Sequence, residues 1–118
     1  MNNIQIKFIP HARQRYNTLG DWYYNGEDLI ICVSNDCPEI STRESQQLVA
    51  LHELVEALLC AKRGITQEQV DTFDMNFIRE DEPGDDPLAP YRQEHRQAMI
   101  IEHLMANFMG FTSYGVIK

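Results

Sequence analysis

The strongest constraint on the fold of this chain is a change in hydrophobic period near residue 40. Before that point apolar residues alternate. Ile4, Ile6 and Phe8 fall on one side of a segment whose other side carries Gln5 and Lys7, the period-2 pattern of a half-buried strand that Pro10 ends. Gly20–Tyr24 and Leu29–Ser34 then flank Asn25-Gly26. Asn-Gly favours the positive φ values of a type I′ turn, so a β-hairpin is predicted, with Leu29, Ile31 and Val33 facing the core. After Ser41 the spacing becomes helical. Ser41 and Glu44 have capping-box spacing, Leu48, Leu51, Val55, Leu58 and Leu59 follow, and Lys62-Arg63-Gly64 makes a C-terminal signal. Thr66 and Gln69 repeat the box before Val70, Phe73 and Phe77. Pro90 opens a third helix whose apolar stripe is Tyr91, Ala98, Ile101, Met105 and Phe108, ended by Gly110.

The expected fold is therefore α+β. A small antiparallel sheet, one strand plus a hairpin, packs against three helices in a single domain over 1–118. Residues 1–40 form its β-rich part, 41–110 its three helices, and 111–118 a tail with Phe111, Tyr114, Val116 and Ile117 to close the sheet or meet a second copy.

Charge narrows the partners. Five of the 18 acidic residues lie between Glu80 and Asp86, and removing them takes the formal charge from −8 to −3. That stretch, with Pro83, Gly84 and Pro87, is expected to be a loop over 80–87, opposed to any regular element. With 10 Lys and Arg and no cluster of them, direct nucleic-acid binding is not expected. No apolar run approaches the roughly 20 residues that span a bilayer. The segment MNNIQIKFIP lacks a basic-then-apolar signal pattern, so the cytoplasm is the expected location. The three cysteines are an odd number, Cys60 reading as a small buried hydrophobe, and His11 is expected to be exposed in a basic loop.

The chemistry concentrates in Leu51-His52-Glu53-Leu54-Val55-Glu56-Ala57. On a helix, positions i and i+4 lie one turn apart on one face, so His52 and Glu56 can point at one spot. Imidazole nitrogen and carboxylate oxygen both suit zinc. Glu53 projects ~100° from His52, from where a carboxylate can act as general base on a water. Both ligand candidates flank the leucine stripe instead of facing solvent. A third ligand has to come from elsewhere, and the third helix offers Glu94, His95 and Glu102. A helix that turns carboxylates toward its own core face must supply partners for them, and a metal is one such partner. His95 is taken as the third ligand, with Glu94 or Glu102 behind it or in its place.

This order resembles the zincin metallopeptidases, in which a sheet edge strand precedes a helix with His-Glu-x-x-His and a later helix gives the third ligand. Here Ile30-Ile31-Cys32-Val33, His52-Glu53-Leu54-Val55-Glu56 and His95 follow that order, over roughly residues 20 to 103. Glu56 stands where the second histidine belongs. The resemblance implies a bound zinc ion, a peptide or protein substrate held along the edge strand, and Glu53 as the catalytic base. The small size and the Glu94-His95 helix are also similar to uncharacterised phage and prophage proteins.

Three other readings stand beside it. His52, Glu56 and His95 can form an interhelical hydrogen-bond network without a metal. Glu53-x-x-Glu56 with Asp71-x-x-Asp74 resembles the Mg²⁺-binding carboxylates of all-α nucleoside-triphosphate pyrophosphatases, although a β-hairpin is foreign to that family. A non-enzymatic regulatory protein of phage type would instead use the acidic loop to meet a basic partner.

Overall fold

The third strand carries the first half of the structure. In the computed structural model, which describes residues 2–77 and 82–111, β1 spans Ile4–Ile9, β2 Gly20–Asn25 and β3 Asp28–Ser34. Every residue of β3 from Leu29 to Ser34 is buried, on both faces. A strand with that composition has to lie inside a sheet, and β3 is the centre of the order β1-β3-β2. Beyond these strands come α1 (Arg43–Arg63), α2 (Gln67–Met75) and α3 (Arg92–Phe108), so the α+β class is as expected.

The sheet is mixed, not antiparallel. β2 pairs antiparallel with β3, but β1 runs parallel to β3, with Ile4 opposite Leu29 and Phe8 opposite Val33. The reason lies in the connection. The hairpin takes one edge of β3, so β1 can join only at the other. Residues 10–19 cross the end of β3 once, which makes β1 antiparallel to β2 and hence parallel to β3. The crossing is pinned at Ser34, whose Oγ lies 2.8 Å from His11 Nδ1 and takes Gln14 Nε2 at 3.2 Å. His11 Nε2 is 2.8 Å from Asn17 Oδ1 and its backbone N–H donates to Asp36 Oδ1. His11 is therefore a half-buried strut, not the exposed loop residue expected. At the edge, Ile4 and Ile6 are both 46% exposed, so β1 is less buried than its alternation implies.

The hairpin turn also differs in detail. Asn25 pairs with Asp28, leaving Gly26 and Glu27 as the loop. Gly26 has φ +61° and no described non-glycine residue has positive φ, the type II′ pattern with glycine first.

The chain divides into two compact units, Met1–Leu54 and Val55–Lys118, with the division inside α1. The core of the first is Trp22, Leu29 to Val33, Ile40, Leu48 and Ala50. The second has Ala57, Cys60, Val70, Tyr91, Ala98 and Ala106. The cap of α1 is Thr42, one residue past Ser41: Ser45 N–H donates to Thr42 Oγ1 and Thr42 N–H to Ser45 Oγ. At its other end Gly64, φ +77°, is the C′ residue as expected, with Gly64 N–H on Ala61 O and Ile65 N–H on Cys60 O, a Schellman motif. The Thr66–Gln69 capping box of α2 is also formed.

Two expectations about the second unit are corrected. Pro83–Asp85 is a single 3-10 turn within the supposed irregular acidic loop, and its Gly84 is buried, as is Asp86. Residues 78–81 of that stretch lie outside the described residues, as does 112–118 of the tail. The buried line of α3 is Glu94, His95, Ala98, Glu102 and Ala106. Ile101, Met105 and Phe108, expected inside, are 41%, 44% and 74% exposed. Among the described residues no helix is long and apolar enough to cross a membrane.

Candidate metal centre

The middle of α1 buries its polar side chains more deeply than its large apolar ones. His52 and Glu56 are 7% and 5% exposed, whereas Leu51, Val55 and Leu59 are half-buried and Leu58 is exposed. One continuous helix carries both residues, so their alignment follows from the helical repeat alone.

His95 is brought to them by the start of α3, which four contacts fix. Arg63, two turns beyond Glu56 on α1, grips Glu94 with both arms of its guanidinium: Nε donates to Oε2 at 2.6 Å and Nη2 to Oε1 at 2.7 Å. The same Nη2 donates to Pro90 O at 3.0 Å. Tyr91 donates its hydroxyl to Asp74 of α2, and Phe73 meets the Tyr91 ring edge-on. With that turn held, His95 Nδ1 lies 3.1 Å from Glu56 Oε2.

The result is a buried group of three. His52, Glu56 and His95 each place one ligand atom so that all lie within 4.8 Å of one another. Donors bonded to one ion at ~2.1 Å in a tetrahedral site stand roughly 3.4 Å apart, so contraction by at most about 1.4 Å brings the set to coordination distance. Glu56 and His95 already meet that spacing. Two imidazoles and a carboxylate form a set of the right chemistry, and the group can hold a metal ion. Among the described residues it is the one His/Cys/Asp/Glu cluster with this spacing.

Glu53 stands beside it. Its Oε2 is 3.9 Å from His52 Nε2 and its side chain is 12% exposed. The first residue of β2 holds it there. A Cβ built on Gly20 would come within 2.7 Å of Val49 Cγ1 and 3.0 Å of Glu53 Cγ, so only hydrogen fits between strand and helix.

No family model, curated protein or solved structure matches this chain. What the site can do rests on its own geometry.

Other sequence-derived candidates fall elsewhere. Glu94 is 2% exposed and committed to Arg63, which holds its carboxyl below the usual range against the opposing effect of burial, so it does not stand in for His95. Glu102 is buried two turns beyond His95 and is outside the group of three. Asp74 accepts from Tyr91 and Asp71 from Gln67, and neither joins a metal-spaced group. Ile30-Ile31-Cys32-Val33, likened to an edge strand, is the sheet centre; the strand that seats against Glu53 is β2. None of the three cysteines is in a disulfide, and Cys60 is fully buried.

Sequence reasoning missed two neighbours of His95. Asp85 Oδ1 lies 3.5 Å from His95 Nε2. Gly84 abuts the ring so closely that a Cβ would stand 2.5 Å from Nδ1 and also overlap Cγ. The signal for them was Pro83-Gly84, a turn dipeptide placed shortly before the His95 helix, which the run of acidic residues obscured.

Proposed function

We propose that this chain is a zincin-like, zinc-dependent hydrolase of peptide or amide bonds, with His52, Glu56 and His95 as metal ligands and Glu53 as base. The supporting observation is the convergence of three buried donors from α1 and α3 within 4.8 Å. Three protein ligands leave a coordination position open, the pattern of catalytic rather than structural zinc sites. When bound, zinc supplies Lewis-acid polarisation of the scissile carbonyl and lowers the pKa of water.

The chain's own residues do the rest. Glu53 takes a proton from the attacking water as its oxygen bonds to the carbonyl carbon. The C–N bond then breaks and the proton passes to the departing amine, giving a carboxylic acid and an amine. The Gly20 contact keeps the Glu53 stem on the helix flank, and its carboxylate Oε2 lies 3.9 Å from His52 Nε2. Glu56 brings a negative charge where a second imidazole would be neutral, which lowers the positive charge of the loaded site and moderates that polarisation.

The test separates metal from catalysis. Protein purified without chelator should carry one zinc per chain by elemental analysis and cleave members of a peptide or amide library. Glu53→Gln should keep the zinc and lose roughly 10²-fold or more in rate, the usual contribution of a general base. Absence of zinc in the native protein overturns the site. Zinc without cleavage, or cleavage unchanged in Glu53→Gln, overturns the hydrolase.

A further inference from the structure

An imidazole can bind a metal through either nitrogen, and the nitrogen left over needs a partner that fixes the tautomer. The surroundings of His95 distinguish the two. Nδ1 is the nitrogen turned toward the candidate site, 3.1 Å from Glu56 Oε2. Nε2 faces the other way, 3.5 Å from Asp85 Oδ1. The ring is 6% exposed, with Gly84 against its Cγ–Nδ1 end and Tyr91 edge-on at 6.3 Å between centroids. A half-turn of the ring would put Cδ2 and Cε1 where Nδ1 and Nε2 now stand, and both carboxylate contacts would be lost.

We infer that His95 ligates through Nδ1, and that Asp85 is a positioning residue that holds the proton on Nε2. This rests on the metal reading above and deepens it. A neutral imidazole has one N–H. In the metal-loaded site, with Asp85 as acceptor at Nε2, the Nδ1 lone pair is left for the ion that His95 and Glu56 would share, in place of their present hydrogen bond. The present 3.5 Å is an ion-pair separation, and a shift of a few tenths of an ångström makes it a hydrogen bond. The Asp85 side chain is 49% exposed, so it can be replaced without opening the core. The acidic turn before α3 thereby orients a ligand from behind.

The experiment uses the full chain with ¹⁵N-labelled histidine, loaded with ¹¹³Cd²⁺, and reads which ring nitrogen couples to the metal. Coupling to Nδ1 of His95, with Nε2 protonated, is expected. In parallel, Asp85→Ala should weaken cadmium and zinc affinity roughly tenfold or more, the usual effect of losing such a partner, while its circular dichroism stays native. Asp85→Asn, whose amide oxygen can still accept from Nε2–H, should recover most of that loss. Coupling to Nε2 of His95, or wild-type affinity in Asp85→Ala, overturns this inference and leaves the metal site standing. A native protein that takes up no cadmium overturns both.

Discussion

Substituting Gly84 by alanine tests whether the Pro83–Asp85 turn is seated on His95 as described. Gly84 does not have positive φ, so its backbone accepts a side chain without strain. Considered alone, Gly→Ala there would stabilise by about 0.4–1 kcal/mol by restricting the unfolded chain. The added Cβ, however, would stand 2.5 Å from His95 Nδ1 and 2.9 Å from its Cβ, and closer still to Cγ. Ordinary contact needs about 3.5–4.0 Å, so ring or turn must give by roughly 1 Å. The ring cannot do so freely, because it is buried and Nδ1 is on Glu56. Overpacking of this kind costs about 1–3 kcal/mol. The net expectation is destabilisation by about 1–2 kcal/mol. With a urea slope of about 1.5 kcal/mol/M, the unfolding midpoint should fall by about 1 M. Circular dichroism of urea-titrated protein measures it. A midpoint that stays put, or rises by the amount expected for an open loop, would refute the seating of Gly84 on the ring and with it the placement of His95.

Two further outcomes follow from contacts away from the ligands. Arg63 holds the Glu94 carboxyl below its ordinary value of 4.5, so the stability from this pair is complete above that value and is lost as pH falls through the lower folded value. Glu94→Gln should therefore flatten the acid limb of the stability curve below about pH 4.5, read as urea midpoints across that range, and an acid limb identical to the native one would refute the pairing. Ser34→Ala removes the hydroxyl that His11 and Gln14 share at the end of β3, and should cost about 1–3 kcal/mol in urea unfolding; a midpoint equal to the native one would show that the 10–19 crossing is not pinned there.

Sequence signals were legible where the physics is local. The Thr66–Gln69 box, Gly64 as C′ and the Asn25-Gly26 neighbourhood as a hairpin depend on residues within one turn of each other. The one-residue error at the start of α1 arose because Ser41, Thr42, Glu44 and Ser45 offer two overlapping boxes, and Thr42–Ser45 forms. The direction of β1 was not legible. Its alternation says which side is apolar, not which edge of β3 is free, and β3 took the centre because all of Leu29 to Ser34 is buried.

The third helix shows where apolar periodicity misleads. Its stripe favoured Ile101, Met105 and Phe108, yet the helix buries Glu94, His95 and Glu102. A carboxylate or imidazole goes inside when a partner meets it. Those of Glu94 and His95 are Arg63 and Glu56, 31 and 39 positions away along the chain. The pairing of His52 with Glu56 was legible because it lies on one helix, α1, and His95 because it was an ionisable group at the core face of its own helix, α3. Asp85 was not, since it stood in a charge run whose ordinary fate is solvent.

The central claim is that His52, Glu56 and His95 share one cation. Anomalous X-ray scattering at the zinc absorption edge, from crystals of the full chain grown with zinc, measures this most directly. One strong peak about 2.0–2.2 Å from a His52 ring nitrogen, a Glu56 oxygen and a His95 ring nitrogen is the predicted result. A map without a peak between those side chains, with the Glu56–His95 hydrogen bond intact in the presence of zinc, would contradict it.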